Sequence, residues 1–294
     1  MSSPLESATA DWASALAVRG FLVSIVRVLS NGLQAEVSDT GRTCRVNLYH
    51  SRGRGFSVVY AGGDRGLFGD LTPHSGSGLP AGGSDEAGKG DYFGPLVVAA
   101  VSLDPDSSAR LAAAGLADSK TLDDRKISSL EEAILSETSC FAVSVKQPSE
   151  YNALMESMSG GRNSLDILAG MHADAISRML GACGATKPSV IVVDRFCAPS
   201  RIEHLLPAGF RYDFRVRGES EPAVAAASVL ARASYMRSLR ELAGEIGIGL
   251  KPGAGADIDG IGAAAVRKWG PGILDRTAKK HFANTGRILR SAGC

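Results

Sequence analysis

The sequence predicts an α/β domain preceded by a small α+β module, and three observations predict it. Short alternating segments joined by hairpin turn residues fill residues 1–61; glycine, proline and serine replace periodic hydrophobics over 62–83; and apolar strand-like runs alternate with helical patterns across 84–294. In the first part, Ser7 to Val18 carries Trp12, Leu16 and Val18 among alanines and reads as one short helix. Phe21 to Val28, Leu33 to Asp39, Cys44 to Tyr49 and Phe56 to Tyr60 read as strands, punctuated by Asn31-Gly32, Thr40-Gly41 and Arg52-Gly53-Arg54-Gly55. The tract 62–83 reads as a flexible linker. Beyond it, Leu96 to Leu103, Phe141 to Val145 and Val190 to Val193 have the continuous apolar character of buried strands, the last ending at Asp194. Asn163 to Leu180 and the alanine-rich Ala223 to Ile246 read as long helices.

Composition narrows the function before any motif is considered. The chain has 294 residues, 44% of them hydrophobic and 21% charged, enough for two packed cores and against disorder over most of its length. A formal net charge of +1 removes bulk positive charge as an argument for nucleic-acid binding, so local distribution has to carry it. The five cysteines are widely spaced and form no CxxC pair, which speaks against structural zinc and a disulfide framework and for a reducing, cytoplasmic compartment. No apolar run approaches the roughly 18 residues of a membrane span, and residues 1–11 lack the order of a signal peptide.

The chemistry concentrates in Gly83 to Pro95 (GSDEAGKGDYFGP). Gly83 to Lys89 satisfies the first seven places of a phosphate-binding P-loop, but Gly90 stands where a Mg²⁺-holding hydroxyl belongs, and Asp85 and Glu86 would put two carboxylates against the phosphates. The favoured alternative makes those carboxylates cation ligands at a strand end, with the glycine turn admitting a substrate closely. Hydrolysis of a phosphodiester between two ions needs further acids. Asp194 is the leading partner, because a parallel strand beside the first would deliver it to the same end, and Glu219 is the next.

These residues resemble a known family. Ser84 to Pro95 is similar to the opening motif of type 2 ribonucleases H, and Asp91-Tyr92-Phe93-Gly94-Pro95 to the form found in ribonuclease HIII rather than ribonuclease HII. Asp118-Ser119-Lys120, Tyr151-Asn152 ahead of a helix bearing His172, Asp194-Arg195-Phe196, Ala223 to Arg232, Gly253-Ala254-Gly255 and His281 to Thr285 follow in the family's order. Asn31 to Gln34, Val46 to Tyr49 and Ser51 resemble its extra TATA-binding-protein-like domain.

The resemblance implies an RNase H-like catalytic domain, a mixed sheet with flanking helices, that cleaves the RNA strand of RNA–DNA hybrids with Mg²⁺ or Mn²⁺ and leaves 5′-phosphate and 3′-hydroxyl ends. It places the metal-binding acids on Asp85, Glu86, Asp194 and, across a one-residue deletion, Glu219, with Glu221 as competitor. It aligns Gly88-Lys89-Gly90 with the turn whose backbone reads ribose 2′-hydroxyls, and it brings Lys120 near the substrate backbone. It suggests a monomer with no obligate protein partner. The alternatives are cleavage at single ribonucleotides embedded in DNA, a non-catalytic hybrid-binding protein, and, more distantly, a P-loop NTPase.

Beside the acids, His172 shares a helical stripe with Leu168 and Ala175 and reads as a packed histidine, and His281 fits a docked C-terminal segment. In the N-terminal module Arg42, Arg45, Arg52 and Arg54, with few acids nearby and Tyr49 and Tyr60 beside them, read as a surface for the hybrid backbone.

Overall fold

The computed structural model describes residues 3–18, 20–51, 55–64, 67, 80–116, 122–216 and 218–294. The chain forms two units, Met1–Leu79 and Pro80–Cys294.

In the first unit, four strands form an antiparallel sheet in chain order: β1 (Leu22–Leu29), β2 (Gly32–Ser38), β3 (Thr43–Ser51) and β4 (Gly55–Gly63). Two-residue alternation sends Ala35, Val37, Cys44, Val46 and Leu48 to one face, where they bury with Trp12 and Leu16 of helix α1 (Pro4–Val18). The register β2 to β3 sets Glu36 opposite Arg45, and the two side chains pair at 3.2 Å on the exposed side.

The second unit is a five-stranded mixed sheet of β5 (Ala81–Ala87), β6 (Leu96–Leu103), β7 (Phe141–Lys146), β8 (Val190–Asp194) and β9 (Tyr212–Arg215), ordered β7-β6-β5-β8-β9. Strands β5, β6 and β7 pair antiparallel, whereas β5 with β8 and β8 with β9 are parallel. Helices α2 (Pro105–Ala113), α3 (Asp124–Glu137), α4 (Pro148–Ser157), α5 (Ser164–Ala182), α6 (Pro222–Ile246), α7 (Ala256–Trp269), α8 (Ile273–Thr277) and α9 (Asn284–Ala292) complete it. Strand β6 is buried along its whole length because helices cover both faces. Val97, Ala99 and Val101 pack with Ala226, Val229 and Leu230 of α6, and Leu96, Val98 and Ala100 pack with Leu168, Met171 and Ile176 of α5.

The tract read as linker differs from the structure at both ends. Gly62 and Gly63 close β4, and Ala81, Gly82 and Gly83 open β5. Close packing is the physical reason for the glycine at 83: a Cβ there would overlap the Ala223–Val224 peptide at the start of α6. The same strand removes the P-loop reading, since Gly83 to Ala87 is extended and hydrogen-bonded to its neighbours rather than wrapped around an anion. Strand β9 and helices α2, α3, α7 and α9 have no counterpart among the elements expected from sequence. Of these, α2 and α3 announce themselves locally, by Asp104 and Asp123 accepting from the backbone N–H groups of Ser107 and Lys126 in the first helical turn.

Candidate active site

Parallel pairing assembles the site. Ala81 to Ser84 lie opposite Val190 to Val193, so the next residue on each strand, Asp85 and Asp194, emerges at the same end of adjacent strands. Asp85 and Glu86 then part company, because successive side chains of a strand point to opposite faces. Asp85 turns toward α6 and bonds to Ser228. Glu86 turns toward α5, where its Oε2 lies 3.3 Å from His172 Nε2 and its Oε1 accepts from Lys89 Nζ at 3.2 Å.

The electrostatics of the two acids diverge accordingly. Burial, and after it the charge of Glu86, pushes Asp85 up to about 7; Asp194 adds to the rise, while Ser228 and the Glu86 N–H (2.8 Å) oppose it. Burial also acts to raise Glu86, but the bonds and charges of His172 and Lys89 outweigh it and hold the carboxyl below its ordinary range. Asp194 Oδ1 accepts from Gly218 N–H at 2.9 Å, which ties the end of β8 to the turn Gly218–Ser220.

Of the two candidates for a fourth acid, Glu219 belongs to that turn by its backbone, one residue beyond the Asp194 contact; its side chain lies outside the described residues. Glu221 is buried at the N-cap of α6, 3.5 Å from Arg215, and its burial raises it against the pull of that guanidinium, with Asp213 adding to the rise. Lys120, Arg52 and Arg54 lie outside the described residues.

Whether such a set suits a divalent ion can be judged from its chemistry. Among the described residues no three His, Cys, Asp or Glu side chains are drawn together as a finished ligand cluster. Yet Asp85, Glu86 and Asp194 offer hard carboxylate oxygens at one strand end, and the charges of the other two both raise Asp85. Hard carboxylate oxygens whose like charges meet at Asp85 are what Mg²⁺ or Mn²⁺ accepts, so the residues fit the ions.

The glycine turn after the acids is held from behind. Gly88 has φ +86°, and a Cβ there would strike the Pro95 carbonyl and the Tyr235 ring, whereas Gly90 faces open space. Asp91 Oδ1 accepts from Gly253 N–H at 2.7 Å, and Tyr92 N–H donates to the Gly253 carbonyl at 2.9 Å. Tyr235 Oη donates to the Phe93 carbonyl, and the buried Lys279 Nζ reaches the carbonyls of Phe93, Gly94 and Pro95 at 3.5, 2.7 and 3.3 Å. Asn152 donates to the carbonyl of Ala278 at 2.9 Å and accepts from Lys280 N–H at 3.0 Å, fixing the C-terminal segment that carries Lys279. The stretch Asp91 to Pro95 therefore acts as an internal clasp. Beside it, a shallow cleft is lined by Lys89, Tyr151, Ser164, Leu168, Lys279 and His281, with His281 Nε2 3.5 Å from Tyr151 Oη.

Three features of the site and its surroundings escape sequence reasoning or correct it. Lys279 has no charge or spacing signal, only a place beside the His281 motif. His172 is packed, as expected, and is also bonded to Glu86 and to Ser84 Oγ. In the first unit the arginines do have acids nearby: Arg42 Nε donates to Asp39 Oδ2 at 2.9 Å, and Arg45 pairs with Glu36 across the β2–β3 register.

Known proteins similar to this chain share one family. A family profile described as Ribonuclease HII matches residues 82–285. The Ribonuclease HIII of Geobacillus kaustophilus is 36% identical over 217 residues, 72% of this chain and 68% of that protein. The Ribonuclease HIII of Bacillus cereus is 35% identical over 214 residues, 71% of this chain and 68% of that protein. Among solved structures, Bst-RNase HIII in complex with Mn²⁺ superposes with a TM-score of 0.70 at 28% identity, covering 95% of both chains.

Proposed function

The chain belongs to the type 2 ribonuclease H family, in its ribonuclease HIII branch, and from that premise we propose how its own residues perform the reaction. It is a ribonuclease H that hydrolyses the RNA strand of RNA–DNA hybrids, with Mg²⁺ or Mn²⁺ as cofactor. The observation that carries our reading of the site is the register of β5 against β8, which brings Asp85 and Asp194 to one strand end with Glu86 alongside. Asp85, Glu86, Asp194 and Glu219 hold the ions; Glu221, paired to Arg215 beneath the helix start, supports the turn that presents Glu219. Bound there, the ions would activate water and offset the charge of the leaving 3′ oxygen, giving 5′-phosphate and 3′-hydroxyl ends.

The chain's other residues position and read the substrate. The Gly88-Lys89-Gly90 turn offers backbone groups to a ribose 2′-hydroxyl, and the clasp at Asp91 to Pro95 keeps it from moving with the substrate. Lys120 steers the backbone of the hybrid. The first unit, whose sheet ends at Gly63, is a tethered second binding surface joined to the catalytic unit that opens with β5 at Ala81, and it raises the local concentration of hybrid at the acids. Among the described residues no helix is long and apolar enough to cross a membrane. We place the protein in the cytoplasm, whose reducing milieu suits five cysteines that stand free.

The test is cleavage of an end-labelled hybrid with Mg²⁺ or Mn²⁺, beside a duplex bearing one embedded ribonucleotide. Metal-dependent cutting of the continuous hybrid, weak cutting of the embedded one, and loss of both in Asp85→Asn and Asp194→Asn are expected. Efficient cutting at the single ribonucleotide would favour the ribonuclease HII-like activity, and binding without cutting the non-catalytic alternative.

A further inference from the structure

We propose that His172 is a positioning residue that aims the Glu86 carboxylate at the metal site, through a hydrogen-bonded chain that begins at Ser84. The inference rests on the reading of Glu86 as a metal ligand. His172 is fully buried on α5, its ring stacked on Phe196 with centroids 4.5 Å apart and planes 12° from parallel. Its Nε2 lies 3.3 Å from Glu86 Oε2, and its Nδ1 is hydrogen-bonded to Ser84 Oγ.

The chemistry of the carboxylate fixes the direction of the bond to Glu86. An ionised carboxylate only accepts, so Nε2 carries the proton and donates it to Glu86. Nδ1 is engaged by the Ser84 hydroxyl, a group able to accept from an N–H there or to donate to a bare nitrogen. Ser84 and Glu86 are two residues apart on β5 and so share a face, which lets one imidazole bridge two side chains of the strand it packs against.

Glu86 is thus held from both sides with capacity to spare. Oε2 receives His172 and Oε1 receives Lys89 Nζ at 3.2 Å, whose ammonium also lies 5.4 Å from the centre of the Phe196 ring. Each oxygen spends one lone pair on a fixed donor and keeps another for a cation. Both nitrogens of His172 are engaged, so it is not itself a ligand. A pure packing role fits poorly too, because an apolar ring would fill the same stacked slot without the cost of burying two polar nitrogens.

The test separates a donor from a space-filler by reversing their order. His172→Phe keeps the ring and its stacking on Phe196 but removes the donor, whereas His172→Gln loses the ring but carries an amide N–H at about the reach of Nε2. Mn²⁺ affinity, measured by calorimetry or by the spin-resonance signal of free Mn²⁺, is expected to fall about 10–100-fold in His172→Phe, the range typical of lost support to a ligand. It should stay within a few-fold of wild type in His172→Gln. The kcat should follow Mn²⁺ affinity while KM for the hybrid stays constant, and Ser84→Ala should show a smaller loss in the same direction. Phe retaining wild-type affinity while Gln loses it overturns the proposal, as do equal losses in both. If His172→Gln does not fold, wild-type Mn²⁺ affinity in both His172→Phe and Ser84→Ala is the result that refutes it. A wild-type protein that binds no Mn²⁺ overturns the metal reading itself, which is a different result from wild-type binding that ignores all three substitutions.

Discussion

Gly83 and Ala223 meet where β5 runs beneath the first turn of α6, so closely that the strand has no room there for a side chain. That packing seats the helix carrying Ser228, and Ser228 in turn bonds Asp85. Adding one methyl therefore sets side chain against backbone. Gly83→Ala is expected to cost about 1–3 kcal/mol, the usual range for overpacking, and to lower activity with stability. Thermal unfolding checks this, and a wild-type melting temperature would show that α6 has slack at this point.

The raised carboxyl of Asp85 makes the metal-free protein sensitive to pH with a definite sign. Its value of about 7 in the folded chain stands above the ordinary 3.8, so the stability it contributes is complete below about 4 and is lost as the pH rises through 7. At pH 8 the ionised side chain is a net burden until a cation arrives. Asp85→Asn is accordingly expected to melt higher than wild type without metal, by about 4–8 °C for each 2 kcal/mol relieved. It should also lose most of the stabilisation that Mn²⁺ gives wild type. Differential scanning calorimetry at pH 8 with and without Mn²⁺ decides, and a variant that melts below wild type in the metal-free state would refute the argument.

Lys279 offers an independent pH signature, away from the acids. Burial lowers it from 10.5 to about 7, with Asp91 pulling the other way, while three carbonyls take its hydrogens. A folded value below the unfolded one means a contribution present above about 10.5 and lost as the pH falls through 7. The stability of wild type relative to Lys279→Met is expected to grow between about pH 7 and pH 10. Urea unfolding across that range measures it, and a flat difference would mean the ammonium keeps its proton with the carbonyls as sufficient company.

The arginines of the first unit yield a binding prediction tempered by their ion pairs. Replacing Arg42, Arg45, Arg52 and Arg54 together by Ala should raise KM for the hybrid and leave kcat unchanged. The slope of log affinity against log salt should flatten by about 0.9 for every phosphate that these side chains neutralise in the wild type. An unchanged KM and slope would assign Arg42 and Arg45 wholly to Asp39 and Glu36.

The parts of the site that are legible in the sequence are those where local chemistry and position coincide. Val190 to Asp194 announces a buried strand ending in an acid, and Asp85-Glu86 announces its partner, so one parallel pairing suffices to join them. Gly82 and Gly83 mislead because glycine in a tight strand-helix contact and glycine in a linker look alike until the helix is in place. Strand β9 is four residues, Tyr-Asp-Phe-Arg, too short and too polar to show a period, and its partner β8 defines it. The environment of His172 is out of reach for another reason: its two partners lie 88 and 86 residues away, and a helical stripe says that a residue is inside without saying what it meets.

The divergence of Asp85 and Glu86 to opposite faces of β5 means that neighbours in the chain answer to different halves of the interior. Ser228 and the alanine-rich helix govern the first, and His172 with its own helix governs the second. Repacking one layer would move one acid directly and reach the other only through charge, so the pair can be adjusted from either side of the sheet.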